Sequence, residues 1–314
     1  MKKILIGYPL NEYEELEDIL HSLSAKYSLV IKDYDYEWLK RNVHKFDIII
    51  PSLKIIIDDK IIRNAKNLRL IFTPTTGQDH IRFKRNKENI RVLTLNDYRE
   101  EIYSVNSTAE LAFSFVLSLS RKVLLANSDV VKSGRWQRND FLGKELNNKV
   151  MGIVGMGRIG QKIAGYGEAF GMRVVYWDKA KCKKWERIKQ LNKLLLVSDF
   201  IITSIALSNE TCHLINMGNI NSIKRGAVLV NISRGKVIEE KALCFALQEG
   251  ILSGVGVDVL ELELEDYKRS PLYKYARKNP GANIIITPHI GGATIDAWKE
   301  VFTLVFEKIL EEGL

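Results

Sequence analysis

The sequence predicts an α/β protein of two domains, each a parallel sheet covered by helices. Three observations predict it. The chain has 314 residues, enough for two domains at about 150 residues each. Short apolar runs alternate with longer stretches of helical period, the mark of βαβ units. A glycine-rich turn at 155–160 opens a second series of strands, so a smaller domain must precede it.

Taken in order, the apolar run KILI at 3–6 reads as a first buried strand, and 14–24 as a helix. Strands follow at 28–32, 47–50 and 68–72. NSTAELAFSFVLSLSR, 106–121, has a Ser/Thr start, an early acid and an apolar body, and reads as one long buried helix crossing between domains. From 150 onward VMGIVG, RVVYWD, DFIITSIAL, AVLVNIS, SGVGVDV and NIIITPH give six strands, enough for a dinucleotide-binding sheet. A helical tail at 294–310 has the length to return to the first domain and leave it discontinuous. The expected division is 1–100 plus 290–314 against 101–289.

Hydrophobic residues make up 46% and charged residues 27%, which disfavours disorder, collagen and coiled coil. The net charge of +9 suits acidic small molecules or nucleic acid, but no helix concentrates arginines in a nucleic-acid motif. Cys182, Cys212 and Cys244 are odd in number and lack CxxC spacing, against a disulfide framework or zinc site and in favour of a reducing cytoplasm. Acidic residues from Glu12 interrupt the N-terminal apolar run too early for a signal peptide, and no run approaches the ~20 apolar residues of a membrane span.

Gly155, Gly157 and Gly160 stand in GxGxxG spacing between a strand and a helix. The first permits a tight turn, the second lets a pyrophosphate approach the backbone, and the third lets helix and strand lie close. The anion then meets the positive end of a helix. Asp178 closes the next strand, 23 residues beyond Gly155, where a carboxylate can accept from an adenosine ribose and repel a 2′-phosphate. This favours NAD over NADP. Lys179, Lys181, Lys183, Lys184 and Arg187 follow at once and read first as a solvated surface helix, but they leave dual cofactor use open.

Seven motifs in order carry a family resemblance: TTGQDHI (75–81), STAEL (107–111), GRW (134–136), GMGRIG (155–160), NISRGKVIEEKAL (231–243), GVDV (256–259) and TPHIGG (287–292). Over about 75–294 the chain resembles the D-isomer-specific 2-hydroxyacid dehydrogenases, whose members include phosphoglycerate, glyoxylate/hydroxypyruvate and D-lactate dehydrogenases. The resemblance implies two Rossmann-like domains, a discontinuous flavodoxin-like substrate domain and a doubly wound NAD-binding domain, with substrate enclosed in the cleft between them. It implies hydride transfer between NAD(H) and a small D-2-hydroxy acid or 2-keto acid, in a homodimer formed through the nucleotide domains, including 107–136.

It also assigns roles. Arg234 would fork two donors onto the substrate carboxylate. His289, at a strand's carboxyl end, would give a proton to the developing alkoxide and take it back in the oxidising direction. Glu263 would stabilise the imidazolium; Leu264 replaces the usual proline beside it, and Glu261 and Glu265 flank it on one face if the segment is extended. Thr76 and Gly77 would offer backbone N–H groups to the carboxylate, while Arg82 stands where the family usually has aspartate. Thr108, Arg158, Ile159, Ala206, Thr211, Ser233 and Asp258 join the three glycines and Asp178 as implied cofactor contacts. His80 lies beside the substrate loop. Formate dehydrogenase pairs its histidine with glutamine, against Glu263, and S-adenosylhomocysteine hydrolase needs a larger substrate domain. A non-catalytic NAD(H)-responsive scaffold of the C-terminal-binding-protein type shares the Arg, Glu and His and is the competing expectation.

Overall fold

The computed structural model describes residues 1–84 and 89–312; residues 85–88 and 313–314, both in the segments expected to form the first domain, lie outside the described residues. The chain forms two compact units, Met1–Val105 with Ala293–Leu314, and Asn106–Gly292.

In the first unit, β1 (Lys3–Ile6), α1 (Glu17–Ser24), β2 (Ser28–Ile31), α2 (Tyr36–Asn42), β3 (Ile48–Ile50), β4 (Ile57–Asp58), α3 (Asp59–Ile62), β5 (Leu70–Thr73), β6 (Ile81–Arg82) and β7 (Arg91–Thr94) follow one another. The main sheet is parallel, in the order β2-β1-β3-β5-β7; β4 pairs with β6 separately. This is the flavodoxin-like order. Strand side chains alternate between faces: Ile4, Ile6, Ile48, Ile50 and Phe72 pack toward α1 and the C-terminal helix α10 (Ile295–Glu312). Leu5, Ile49 and Ile71 pack toward α2 and α3. Phe302 and Val305 of α10 are fully or almost fully buried there, each contributing about 1.5–3 kcal/mol by leaving water.

The second unit runs α4 (Ser107–Ser120), α5 (Val123–Ser133), β8 (Val150–Val154), α6 (Arg158–Ala169), β9 (Arg173–Trp177), β10 (Glu186–Arg187), α7 (Leu191–Val197), β11 (Phe200–Thr203), β12 (Ala227–Asn231), α8 (Glu240–Gln248), β13 (Leu252–Val257), α9 (Pro271–Lys278) and β14 (Ile284–Ile286). Its seven-stranded parallel sheet has the order β10-β9-β8-β11-β12-β13-β14. Phe113 and Val116 of α4 and Ile163 and Ala164 of α6 cover one face; Leu194 of α7, Leu243 of α8 and Leu272 near the start of α9 cover the other. The strand order reverses beside β8, so ligands belong at the carboxyl ends of these strands.

Two expectations need correction. The basic stretch 179–187 is not a surface helix but loop ending in the edge strand β10. The Tyr176 hydroxyl accepts from Cys182 N–H at 2.7 Å, and Arg187 donates to the carbonyls of Asp178 and Lys179, so side chains fasten the loop in place of helical bonds. The segment 261–265 is a turn, not an extended strand, with Glu263 N–H on Leu260 O and Glu265 N–H on Leu262 O. The three glutamates therefore do not share a face. The three cysteines are free, and no described helix is long and apolar enough to cross a membrane.

Candidate active site

The functional side chains of the second unit collect at the carboxyl ends of adjacent parallel strands. Gly155 follows β8 with φ 98°, a left-handed-side conformation open chiefly to glycine. Its N–H donates to Trp177 O at 2.9 Å and its carbonyl accepts from Ser204 Oγ at 2.6 Å, which ties the turn to β9 and to the end of β11. A Cβ on Gly160 would lie 2.2 Å from Gly155 O, so the helix can close onto the turn only without one. A Cβ on Gly157, by contrast, would meet nothing within 4 Å. Open space lies before the first turn of α6, whose N-cap is Gly157, with no side-chain cap among the described residues. The first-turn N–H groups and the helix dipole thus face a cradle that suits the pyrophosphate of a dinucleotide. Arg158 and Ile159 begin the same helix.

Asp178 stands just past β9. Its Oδ2 accepts from Met156 N–H at 2.7 Å and its Oδ1 from Ala180 N–H at 2.8 Å, which fixes the carboxylate beside the glycine turn. Lys179 is drawn to Glu210 and Lys184 to Glu168, so these two cations are already paired.

Arg234 follows β12 and caps a short 3₁₀ turn; its Nη1 donates to the carbonyl of Ser233 at 2.8 Å. That turn packs on the Glu263 segment so closely that a Cβ on Gly235 would fall 2.3 Å from Glu261 N. His289, after β14, adopts φ 57°. Its Nδ1 lies 2.9 Å from Glu263 Oε1, with a quarter of the His and a fifth of the Glu side chain exposed. Glu263 Oε2 accepts from Leu260 N–H at 3.1 Å. Of the three adjacent glutamates, Glu263 is the one that meets His289; Glu261 meets His213.

Asp258, at the end of β13, is 2% exposed. Its Oδ1 accepts from Thr287 Oγ1 (2.6 Å) and Ile290 N–H (2.8 Å), its Oδ2 from Gly291 N–H (2.7 Å), and its carbonyl from His289 N–H (2.9 Å). Burial pushes this carboxyl up, with the opposing pull of Thr287, the backbone donors and the His289 charge failing to cancel it. Thr108 Oγ1 donates to Gly291 O at 3.0 Å. These bonds hold the histidine loop from two sides.

Other expected contacts have side chains occupied within the protein. Ser233 Oγ donates to Asn231 Oδ1 at 2.7 Å, and Thr211 Oγ1 donates to Ala206 O at 2.7 Å. Ala206 itself is exposed. In the first unit Thr76 is exposed in the loop after β5. Thr75 Oγ1 donates to Gly77 O at 2.7 Å and Thr73 Oγ1 bridges Thr75 and fully buried His80, each at 3.0 Å. His80 is thus part of the scaffold of this loop. Arg82 donates to Asp79 O at 2.7 Å.

Two features escape sequence reasoning: the His213–Glu261 pair and the burial of Glu240. In VIEEKAL both acids read as ordinary first-turn helix residues, and only packing separates Glu239 from Glu240.

Comparison with known proteins agrees with this geometry. Residues 113–291 match the family model described as D-isomer specific 2-hydroxyacid dehydrogenase, NAD binding domain. The chain is 34% identical over 292 residues to glyoxylate reductase of Pyrococcus horikoshii, spanning 89% of this chain and 83% of that one. It is 33% identical over 278 residues to hydroxypyruvate reductase of Thermotoga maritima, spanning 87% of each. The crystal structure of D-lactate dehydrogenase from Aquifex aeolicus, complexed with NAD and lactic acid, superposes with TM-score 0.84 at 29% identity, covering 99% of this chain and 96% of that one. With a glycine cradle fit for NAD and a histidine–carboxylate pair on the same sheet edge, this chain belongs to the D-isomer specific 2-hydroxyacid dehydrogenase family, the NAD-linked oxidoreductases of 2-hydroxy acids.

Proposed function

We propose that the protein reduces a small 2-keto acid of the glyoxylate, hydroxypyruvate or pyruvate type to the D-2-hydroxy acid, and catalyses the reverse oxidation. The observation that carries this reading is the 2.9 Å contact between His289 Nδ1 and Glu263 Oε1 on the sheet edge that bears the glycine turn. With Nδ1 turned to the carboxylate, proton exchange with substrate falls to Nε2. In reduction that nitrogen gives its proton to the carbonyl oxygen, and Glu263 balances the imidazolium that is spent. Arg234 holds the substrate carboxylate through a planar pair of donors and draws charge from the adjacent carbonyl. NADH, held by the 155–160 turn and Asp178, supplies the hydride when bound. In the first unit, the substrate domain in this reading, Thr76 and Gly77 are the candidates to offer backbone N–H groups to a substrate carboxylate. Thr108, Thr211, Ser233 and Asp258, through their engaged side chains, and Ala206, through its carbonyl, serve the cofactor mainly by shaping the loops around it.

The finer assignments follow the same reading. Helix α5 buries no residue, and Val123, Leu124, Val131, Trp136 and Leu142 on and after it are exposed; we assign this apolar arm to a second copy in a homodimer. Light scattering should then give twice 35.9 kDa, and Trp136→Glu should shift the mass toward the monomer. Three free cysteines accord with a cytoplasmic setting.

The deciding experiment follows NADH oxidation with glyoxylate, hydroxypyruvate, pyruvate and longer 2-keto acids. Turnover of at least one supports the enzyme. Tight NADH binding with no turnover of any would replace it with the non-catalytic scaffold.

A further inference from the structure

Glu240 is 3% exposed and is the first residue of α8. Its carboxylate collects three donors, all from one segment. Oε1 accepts from Glu261 N–H at 2.8 Å; Oε2 accepts from the Ser270 hydroxyl and from Leu272 N–H at 3.2 Å. Leu272 N–H belongs to the first turn of α9, and Ser270 is that helix's N-cap, accepting from Tyr273 N–H at 3.1 Å. One buried anion therefore sits at the positive end of a neighbouring helix and ties down both ends of the stretch 261–272. Glu263 lies within that stretch.

The turn's own backbone bonds are local, Glu263 N–H to Leu260 O and Glu265 N–H to Leu262 O. Glu263 itself rests on Leu260 N–H, Glu261 reaches His213 at the side, and Gly235 packs against the Leu260–Glu261 peptide. A carboxylate is required at 240 because the donors arrive on both oxygens. Glutamine in either orientation turns its NH₂ toward a backbone N–H, of Glu261 or of Leu272, leaving a buried donor unpaired.

We propose that Glu240 is a positioning residue for the His289–Glu263 pair: it fixes the backbone from which Glu263 reaches His289 Nδ1, and so sets the proton-transfer geometry without touching substrate or cofactor. This rests on the assignment of His289 and Glu263 to acid–base work.

The test compares E240Q, E240D and S270A with E263Q and H289N in the full-length protein, using NADH and the best keto acid of the panel. In E240Q, kcat should fall about 10- to 100-fold, the cost of displacing a catalytic group by roughly 1 Å. KM for the keto acid and the NADH dissociation constant, read by fluorescence, should stay within about threefold, since neither binding group is touched. E240D, which keeps both acceptor oxygens, should recover part of the lost kcat, and S270A, which removes one donor, should show a smaller loss confined to kcat. Adding E240Q to E263Q should cost nothing further, because the contact it serves is already gone. Independent, multiplicative losses in that double variant, or an E240Q loss that appears in KM and NADH binding, would overturn the proposal and leave Glu240 a general stability residue. If E240Q does not fold, E240D and S270A carry the same comparison, and an S270A kcat equal to wild type then counts against it. If instead E263Q and H289N keep wild-type kcat, the acid–base assignment itself fails, an outcome distinct from intact E240Q alongside crippled E263Q and H289N.

Discussion

His289 Nδ1 faces Glu263 Oε1 at 2.9 Å from a backbone held in the left-handed region, φ 57°. A non-glycine residue there costs about 1–3 kcal/mol and persists where surrounding bonds over-determine it. Asp258 supplies those bonds through its carbonyl to His289 N–H and its carboxylate to the two following N–H groups. Replacing His289 by Asn should lower kcat by about 10²–10⁴, the range for a lost general acid, with NADH affinity retained. Steady-state rates settle it: kcat/KM within about twofold of wild type would remove His289 from the chemistry.

Asp258→Asn tests the loop rather than the proton. Ile290 N–H lies on one carboxylate oxygen and the buried Gly291 N–H on the other, so an amide leaves one of the two unpaired whichever way it turns, at about 1–3 kcal/mol where it is the buried one. The variant should melt at lower temperature in calorimetry and lose about tenfold or more in kcat through displacement of His289.

Asp178→Ala should relax cofactor choice. The carboxylate that its two backbone donors hold beside the glycine turn would repel a 2′-phosphate by about 1–4 kcal/mol at contact distance, between bulk-water and protein-surface screening. The ratio of kcat/KM for NADH over NADPH should fall by about tenfold or more. An unchanged ratio would show that discrimination lies elsewhere.

Stability should carry an acid limb from Asp199. Burial pushes its carboxyl up, but Lys224 Nζ at 2.7 Å and Val150 N–H at 3.0 Å outweigh that and hold it below the ordinary carboxylate range. A depressed folded-state value contributes stability that is complete above the unfolded value of about 3.9 and is lost as pH falls through the folded value. Asp199→Asn should therefore lower Tm at pH 7, and the gap from wild type should shrink as melts are repeated toward acid pH.

Much of this was legible in one dimension. The six long strands of the second unit, helix α4 and the returning helix α10 follow from apolar period, because a buried strand or helix face must be apolar wherever it packs. The glycine turn was readable because its spacing encodes backbone clearances, and those are local. The edge strand β10 was not readable, since two polar residues carry no period; nor was the turn at 261–265, where ELELE alternates as a strand would.

The sequence by itself thus determined the elements and the cradle, properties of neighbours along the chain, and through its family resemblance it offered Arg234, Glu263 and His289 as candidates. Only the tertiary structure decided which glutamate meets which histidine, that Asp258 braces the histidine loop, and that Glu240 is buried while Glu239 is not. The physical reason is that a carboxylate's role is set by the donors that reach it, and here most of those donors stand more than twenty residues away in the chain.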